Sequence, residues 1–207
     1  MPRNFAYVVV CAILATQTSS PAGESDDGYK GKADLLFEYL QTRGEDTVFY
    51  TIKRSYESNS LAAQGETVTC VMATIISANE SAAQLCTTFK TVDNDAVKPF
   101  VVTYIKTDHE TMEGEPVSQR MTVQYVNEKE KCLIVQHMGK EAPDTSVRSC
   151  DMVRASIDAT GRECNKEFSE LCGLSTREIS TTGGCTGVLT PQCTETSEPT
   201  SSDNEQA

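Results

Sequence analysis

Between Lys131 and Gly173 the chain reads KCLIVQHMGK, a turn holding Pro143 and Asp144, SVRSCDMVRAS, a turn holding Gly161, and then ECNKEFSELCG. Two short strand-like runs carry one cysteine each, Cys132 and Cys150. In the segment that follows, Cys164, Phe168, Leu171 and Cys172 recur at i, i+4, i+7 and i+8, the spacing of one helical face. Thr160 and Glu163 stand three apart ahead of that face, as a capping box would, and Gly173 follows it in the place of a C-cap. Strand, strand, and a helix pinned back by cysteines is the arrangement around which the rest of the chain has to fit.

The cysteine inventory sets the compartment. Residues 1–20 read as a secretory signal: Arg3, then the uncharged run FAYVVVCAILA, then small polar residues, too short for a spanning helix. Of nine cysteines, Cys11 falls within it, which leaves 70, 86, 132, 150, 164, 172, 185 and 193. An even number in an exported chain implies disulfides, and eight cysteines allow 105 connectivities, so spacing alone does not choose one. No CxxC occurs, which removes the usual zinc and thioredoxin patterns, and no metal or cofactor is expected. A net charge of -12 argues against nucleic acid and anionic membrane as partners.

Taken in order, residues 21–31 are a polar, Gly-containing lead-in. ADLLFEYLQTR sets Ala33, Leu36, Phe37 and Leu40 on one face of a short amphipathic helix. Seven strand candidates follow: VFYTIKRSYE, TVTCVMATIIS, QLCTTFKTV, KPFVVTYIKT, SQRMTVQYVN, KCLIVQHM and SVRSCDMVRAS. HETMEGEP reads as a loop, and its Glu113 and Glu115 as members of a solvated turn. Asn79-Glu80-Ser81 is a glycosylation sequon and marks a surface loop. Seven closely spaced strands joined by polar turns predict an antiparallel barrel or sandwich spanning residues 32–174. Residues 175–207 are expected to form a disulfide-containing stretch and then a disordered acidic tail.

The amphipathic KADLLFEYL before strand YTIKRSYE, a cysteine in the next strand, and the ending C-LIV, CDMV, CNKEFSELCG together resemble the tick salivary lipocalins of the histamine-binding group. The shared features run from Lys32 to Gly173. The resemblance implies an all-β, eight-stranded antiparallel lipocalin-type barrel with a short N-terminal helix and a C-terminal helix packed outside. It also implies bridges Cys70–Cys172 and Cys132–Cys150, with Cys86–Cys164 and Cys185–Cys193 for the cysteines left over. In function it implies a secreted protein that sequesters a host amine such as histamine or serotonin. Where that family's amine-binding motif has its first acid this chain has Leu133. In the second element Asp151-Met152-Val153 keeps an acid and lacks the aromatic residue, and the sequence contains no Trp.

If strand cysteines that bond a helix outside the barrel look outward, period-two alternation sends their neighbours inward. Val71, Ala73 and Ile75 then face the lumen beside Cys70, and Thr87 and Phe89 beside Cys86. Leu133, Val135, His137, Asp151 and Val153 face it beside Cys132 and Cys150. On the first strand the more apolar side, with Tyr50, Ile52, Arg54 and Tyr56, is expected inside. Such a lumen suits one small ligand. A free Asp151 would take a protonated amine, with Tyr50, Tyr56 and Phe89 offering ring faces. A free Arg54 would instead take the carboxylate of a fatty acid or eicosanoid. If the two pair with each other, the lumen is left apolar. His137 is either a group that titrates near neutrality or a hydrogen-bonded wall residue.

Catalysis is not expected: the sequence has two histidines and no GxSxG, HExxH or Gly-rich phosphate loop. The remaining alternative is a filled barrel that engages a host protein through its outer surface.

Overall fold

The computed structural model describes residues 29–44, 47–56, 66–93, 95–116, 118–138, 149–157, 161–174 and 176–193. The signal at 1–20, most of the lead-in, Thr160 and the acidic tail from 194 onward lie outside them. Eight strands, joined in sequence order by antiparallel pairing, form one sheet. They are β1 (Val48–Arg54), β2 (Val68–Ala78), β3 (Ala82–Thr91), β4 (Phe100–Lys106), β5 (Thr111–Glu115), β6 (Gln119–Asn127), β7 (Cys132–Met138) and β8 (Cys150–Arg154). β8 returns to pair with β1, and β1 with β2, so the sheet closes into a barrel. Closure satisfies the edge groups that an open sheet would leave unpaired.

The eighth strand, β5, lies within the stretch expected to be a loop. Glu113 and Glu115 are strand residues with exposed side chains, and Met112 and Gly114 are the buried alternation partners. Gly114 is needed because a Cβ there would meet the Tyr104 ring at 3.0 Å.

α1 (Lys32–Gln41) closes one end of the barrel. Its Ala33, Leu36, Phe37, Tyr39 and Leu40 pack with Phe49, Ile75, Met112, Val123 and Leu133, from the strand ends on that side. Burying each Leu, Ile, Val, Phe or Met side chain among them contributes about 1.5–3 kcal/mol. The helix start is held by polar contacts. Asp34 accepts from the Gly31 amide at 3.0 Å and from Lys106 and His109, while the Ala33 amide donates to the His109 carbonyl at 2.9 Å.

α2 (Arg162–Cys172) lies outside, where its Cys164, Phe168 and Cys172 cover Cys132, Ile134, Cys150 and Met152. Gly161, not Thr160, is the N-cap residue, and the Glu130 carboxylate accepts from the amides of Glu163 and Cys164 at 3.1 and 2.9 Å. Gly173 takes φ 86° at the C-cap, a conformation that favours glycine.

All four expected disulfides are replaced by others: Cys70–Cys185, Cys86–Cys193, Cys132–Cys164 and Cys150–Cys172. The register explains why. Cys150 sits opposite Gln136, four residues along β7 from Cys132. Four strand residues span about 13 Å, well beyond disulfide reach. Eight helical residues, from Cys164 to Cys172, rise about 12 Å and match that offset. Each end of α2 therefore meets its own strand. The pair expected within the tail behaves likewise. Cys70 is paired in register with Lys90, four residues from Cys86 on β3, and Cys185 and Cys193 reach these two sites separately. This leaves no partner for Cys70 or Cys86 on α2.

Residues 176–193 thus form a strap along the barrel. It begins with β9 (Arg177–Glu178), which pairs with Lys53 and Arg54 of β1. Gly184 lies so close to the Thr69 carbonyl that a Cβ would overlap it, and the Pro191 carbonyl accepts from Thr74 Oγ1 at 2.9 Å.

Candidate functional site

The lumen beneath α1 holds a cavity of about 130 Å³. Its apolar wall includes Leu36, Leu40, Phe49, Val71, Met72, Met112, Met121, Leu133, Val135 and Val153. Arg54, Tyr56, Gln119, His137 and Asp151 also line it, and they come from strand ends on the side away from α1.

Most expected interior residues are there, but β1 does not alternate as predicted. Its register against β8 shifts between Thr51 and Lys53, so Ile52 is an extra residue. Such a bulge reverses parity. Before it Phe49 and Thr51 line the cavity; after it Arg54 and Tyr56 do. Tyr50 is not among the lining residues, and Ile52 packs outward against the α2 cluster. Two further expectations are corrected. Phe89 shares the face of Val71 but packs with Val68, Val71 and Ile179 instead of lining the cavity. Ile75 points inward but is spent in the core under α1. Sequence reasoning had not assigned Met72, Met112, Met121 and Tyr104 to the wall. Met121, Met112 and Tyr104 face inward through their register partners His137, Met121 and Ala83, whereas Met72 has the parity of Cys70 and Thr74 and still borders the cavity.

Arg54 and Asp151 are paired. Arg54 Nε donates to Asp151 Oδ1 at 2.8 Å and an η nitrogen donates to Oδ2 at 3.2 Å, with both side chains at most 10% exposed. Tyr56 donates its hydroxyl to Oδ2 at 3.2 Å, and His137 Nε2 lies 3.2 Å from the same oxygen. The carboxylate is thus held by four neighbouring atoms, one at Oδ1 and three crowded at Oδ2. The guanidinium also stacks over the Tyr56 ring, 4.6 Å from its centroid. Burial by itself would raise the Asp151 pKa, but the Arg54 charge and the His137 contact hold it well below the carboxylate range. Burial likewise works against the Arg54 cation, and Asp151 more than offsets it, so its pKa is raised. Tyr104 is pushed up to about 12 by burial and by the Asp151 charge.

The cluster leaves one group unsatisfied. His137 Nδ1 is buried and has no hydrogen-bond partner among the described residues. In the tautomer that donates Nε2–H to Asp151, Nδ1 is an acceptor without a partner. Neither Asp151 nor Arg54, by contrast, has its charge available to a ligand.

Asn79 is exposed in the β2–β3 turn, where its Oδ1 accepts from the Ser81 and Ala82 amides. Glu130, Cys132 and Cys164 cluster closely enough to suggest metal donors, but both sulfurs are in a disulfide and the carboxylate caps α2. Four disulfides are the chemistry of an oxidising compartment. Among the described residues no helix is long and apolar enough to cross a membrane.

A closed eight-stranded antiparallel barrel with one helix across an end and another on its flank is the lipocalin architecture. A cockroach protein, the major allergen Per a 4, shares it with TM-score 0.53 and 11% identity, over 74% of this chain and 92% of that one. Lobster apocrustacyanin A1 matches with TM-score 0.50 and 10% identity, over 72% and 85% of the two chains. At such identity the likeness extends to the fold alone. No protein-family model matches the chain, and no curated protein matches it by sequence.

Proposed function

We propose that the protein is a secreted carrier that takes one small ligand, about the size of a single ring and bearing a hydrogen-bond donor, into the barrel lumen. The observation that carries this reading is the mostly apolar cavity of about 130 Å³ with His137 among its lining residues, a side chain whose Nδ1 is buried without a partner. An engineered apolar cavity of about 150 Å³ accepts benzene. A hydroxyl, ring N–H or amine reaching Nδ1 would satisfy an acceptor that is otherwise left buried and unmet.

Histamine, one ring with an amine arm, meets both requirements, and serotonin, a fused two-ring donor, is the next in size; the resemblance to the histamine-binding lipocalins of tick saliva favours these two among small ring-bearing donors. The amine would then donate to His137, because the Asp151 charge is already neutralised by Arg54. Removal of a host inflammatory amine at a feeding site is the role that this reading supports. For the eicosanoid alternative nothing comparable speaks: the Arg54 fork is already occupied, and an acyl chain is much longer than the cavity. No observation favours the host-protein alternative either.

Calorimetric titration of the secreted protein with serotonin, histamine, indole and a leukotriene tests the proposal. Heat with serotonin, histamine or indole that is lost in His137→Phe supports it. Binding of the leukotriene alone, or of none of the four, would overturn it.

A further inference from the structure

The barrel seam between β1 and β2 is only partly zipped. Their ladder runs from Val48–Thr74 to Tyr50–Met72. Below that point β1 pairs with the strap instead: Arg54 with Arg177, Lys53 with Glu178, and then the Ile179 and Ser180 amides with the carbonyls of Ile52 and Thr51, at 2.9 and 3.1 Å. On the other side Ser180 bridges to β2. Its Oγ accepts from the Val71 amide at 2.9 Å and donates to the Val71 carbonyl at 3.1 Å. The strap is thus inserted between the two strands where they part, and Cys70–Cys185 fastens it there.

One side chain of this insertion reaches the interior. Ile179 is 7% exposed and packs with Val68, Val71 and Phe89, with Val97 and Phe100 around them. Val71 is also a wall residue of the ligand cavity, and Phe89 is its register partner, so the two share a face. The apolar cluster that Ile179 completes therefore adjoins the cavity and shares one wall with it. Without this side chain, the space next to Val71 would extend the lumen along Phe89 and Phe100.

We propose that Ile179 is the length stop of the ligand cavity, a specificity-determining residue that confines the lumen to ring-sized ligands and excludes extended acyl chains. The proposal rests on the reading that the lumen binds a ligand. It goes beyond that reading by assigning the size limit to a residue outside the eight barrel strands. β-branching suits isoleucine to the task, since its stiff χ1 fixes where the plug ends.

The test uses the full secreted chain with its disulfides verified by mass spectrometry, and two probes, indole and the fluorescent fatty acid cis-parinaric acid. In Ile179→Ala, cis-parinaric acid is expected to bind at least about tenfold more tightly than in the wild type, with indole changed by less than about threefold. If Ile179→Ala does not fold, Ile179→Val carries the test, with a gain of at least about threefold expected for cis-parinaric acid. Equal affinity of the folded variant and the wild type for the fatty acid overturns the proposal. A wild type that binds neither probe, beside a variant that gains cis-parinaric acid, tells against the ring-sized resident ligand and supports the stop. Failure of both proteins with both probes overturns the two together.

Discussion

Arg54 and Asp151 face each other across the β1–β8 ladder and share two hydrogen bonds deep in the wall of the lumen. The pair neutralises itself, so it shapes the cavity without presenting a charge to it. Asp151→Ala would strand the Arg54 cation in a site where its side chain is 5% exposed. Removing one partner of a buried pair costs about 3–5 kcal/mol, because the other is left unpaired. Urea unfolding of the oxidised protein should show that loss. Arg54→Met combined with Asp151→Leu should recover most of it. A double variant as unstable as Asp151→Ala would mean that the pair does more than cancel itself.

What could be read from the sequence followed from local rules. The two helices lie where their apolar spacing put them, with Ala33, Leu36, Phe37 and Leu40 buried on α1 and Cys164, Phe168 and Cys172 on α2. Inward parity was right for Val71, Leu133, Val135, His137 and Asp151, whose strands keep period two there. It failed on β1 because one inserted residue, Ile52, cannot be seen without the partner strand. Arg54 and Tyr56 were placed inside correctly only because the expectation began on the wrong face and the bulge restored it. β5 was hidden by its Glu-Gly-Glu content, tolerated because Gly114 makes room for Tyr104. The disulfides were unreadable because their partners are chosen by register between strands and by the path of the strap, both long-range properties.

The revised connectivity predicts a specific peptide map. Non-reducing digestion should link the peptides of Cys132 with Cys164 and of Cys150 with Cys172, and join Cys70 to Cys185 and Cys86 to Cys193. A peptide joining Cys132 to Cys150 would contradict the register that sets them four residues apart. The Cys70–Cys185 bridge closes a loop of 115 residues. Its removal in Cys70→Ser/Cys185→Ser should therefore lower stability by about 2–5 kcal/mol, read as a shift of the urea midpoint.

Filling the cavity should separate ligand binding from folding. Ala73 lines the lumen, and its register partner Thr87 does too. Ala73→Leu adds volume where about 130 Å³ stands open, so it should cost little, within about 1–3 kcal/mol even if the fit is imperfect. Heat of ligand binding should vanish in calorimetry while the far-ultraviolet circular dichroism stays that of the parent. Retained binding would place the ligand elsewhere than beneath α1.

Asp34 gives the α1 end an acid sensitivity of definite sign. Burial would raise its pKa, but hydrogen bonds from Lys106, His109 and the Gly31 amide more than offset that and bring it from 3.8 down to about 2. A carboxyl whose folded-state pKa is depressed stabilises fully above its unfolded value, about 4, and loses that contribution as pH falls through the folded one. The docking of α1 should accordingly weaken between about pH 4 and pH 2 and be insensitive to pH just above that window. Amide hydrogen exchange of α1, corrected for intrinsic rates, should accelerate over that range in the wild type. In Asp34→Asn it should be faster at every pH and lack the acid step. Wild-type exchange in α1 that stayed flat down to about pH 2 would mean that Asp34 does not hold the helix over the barrel.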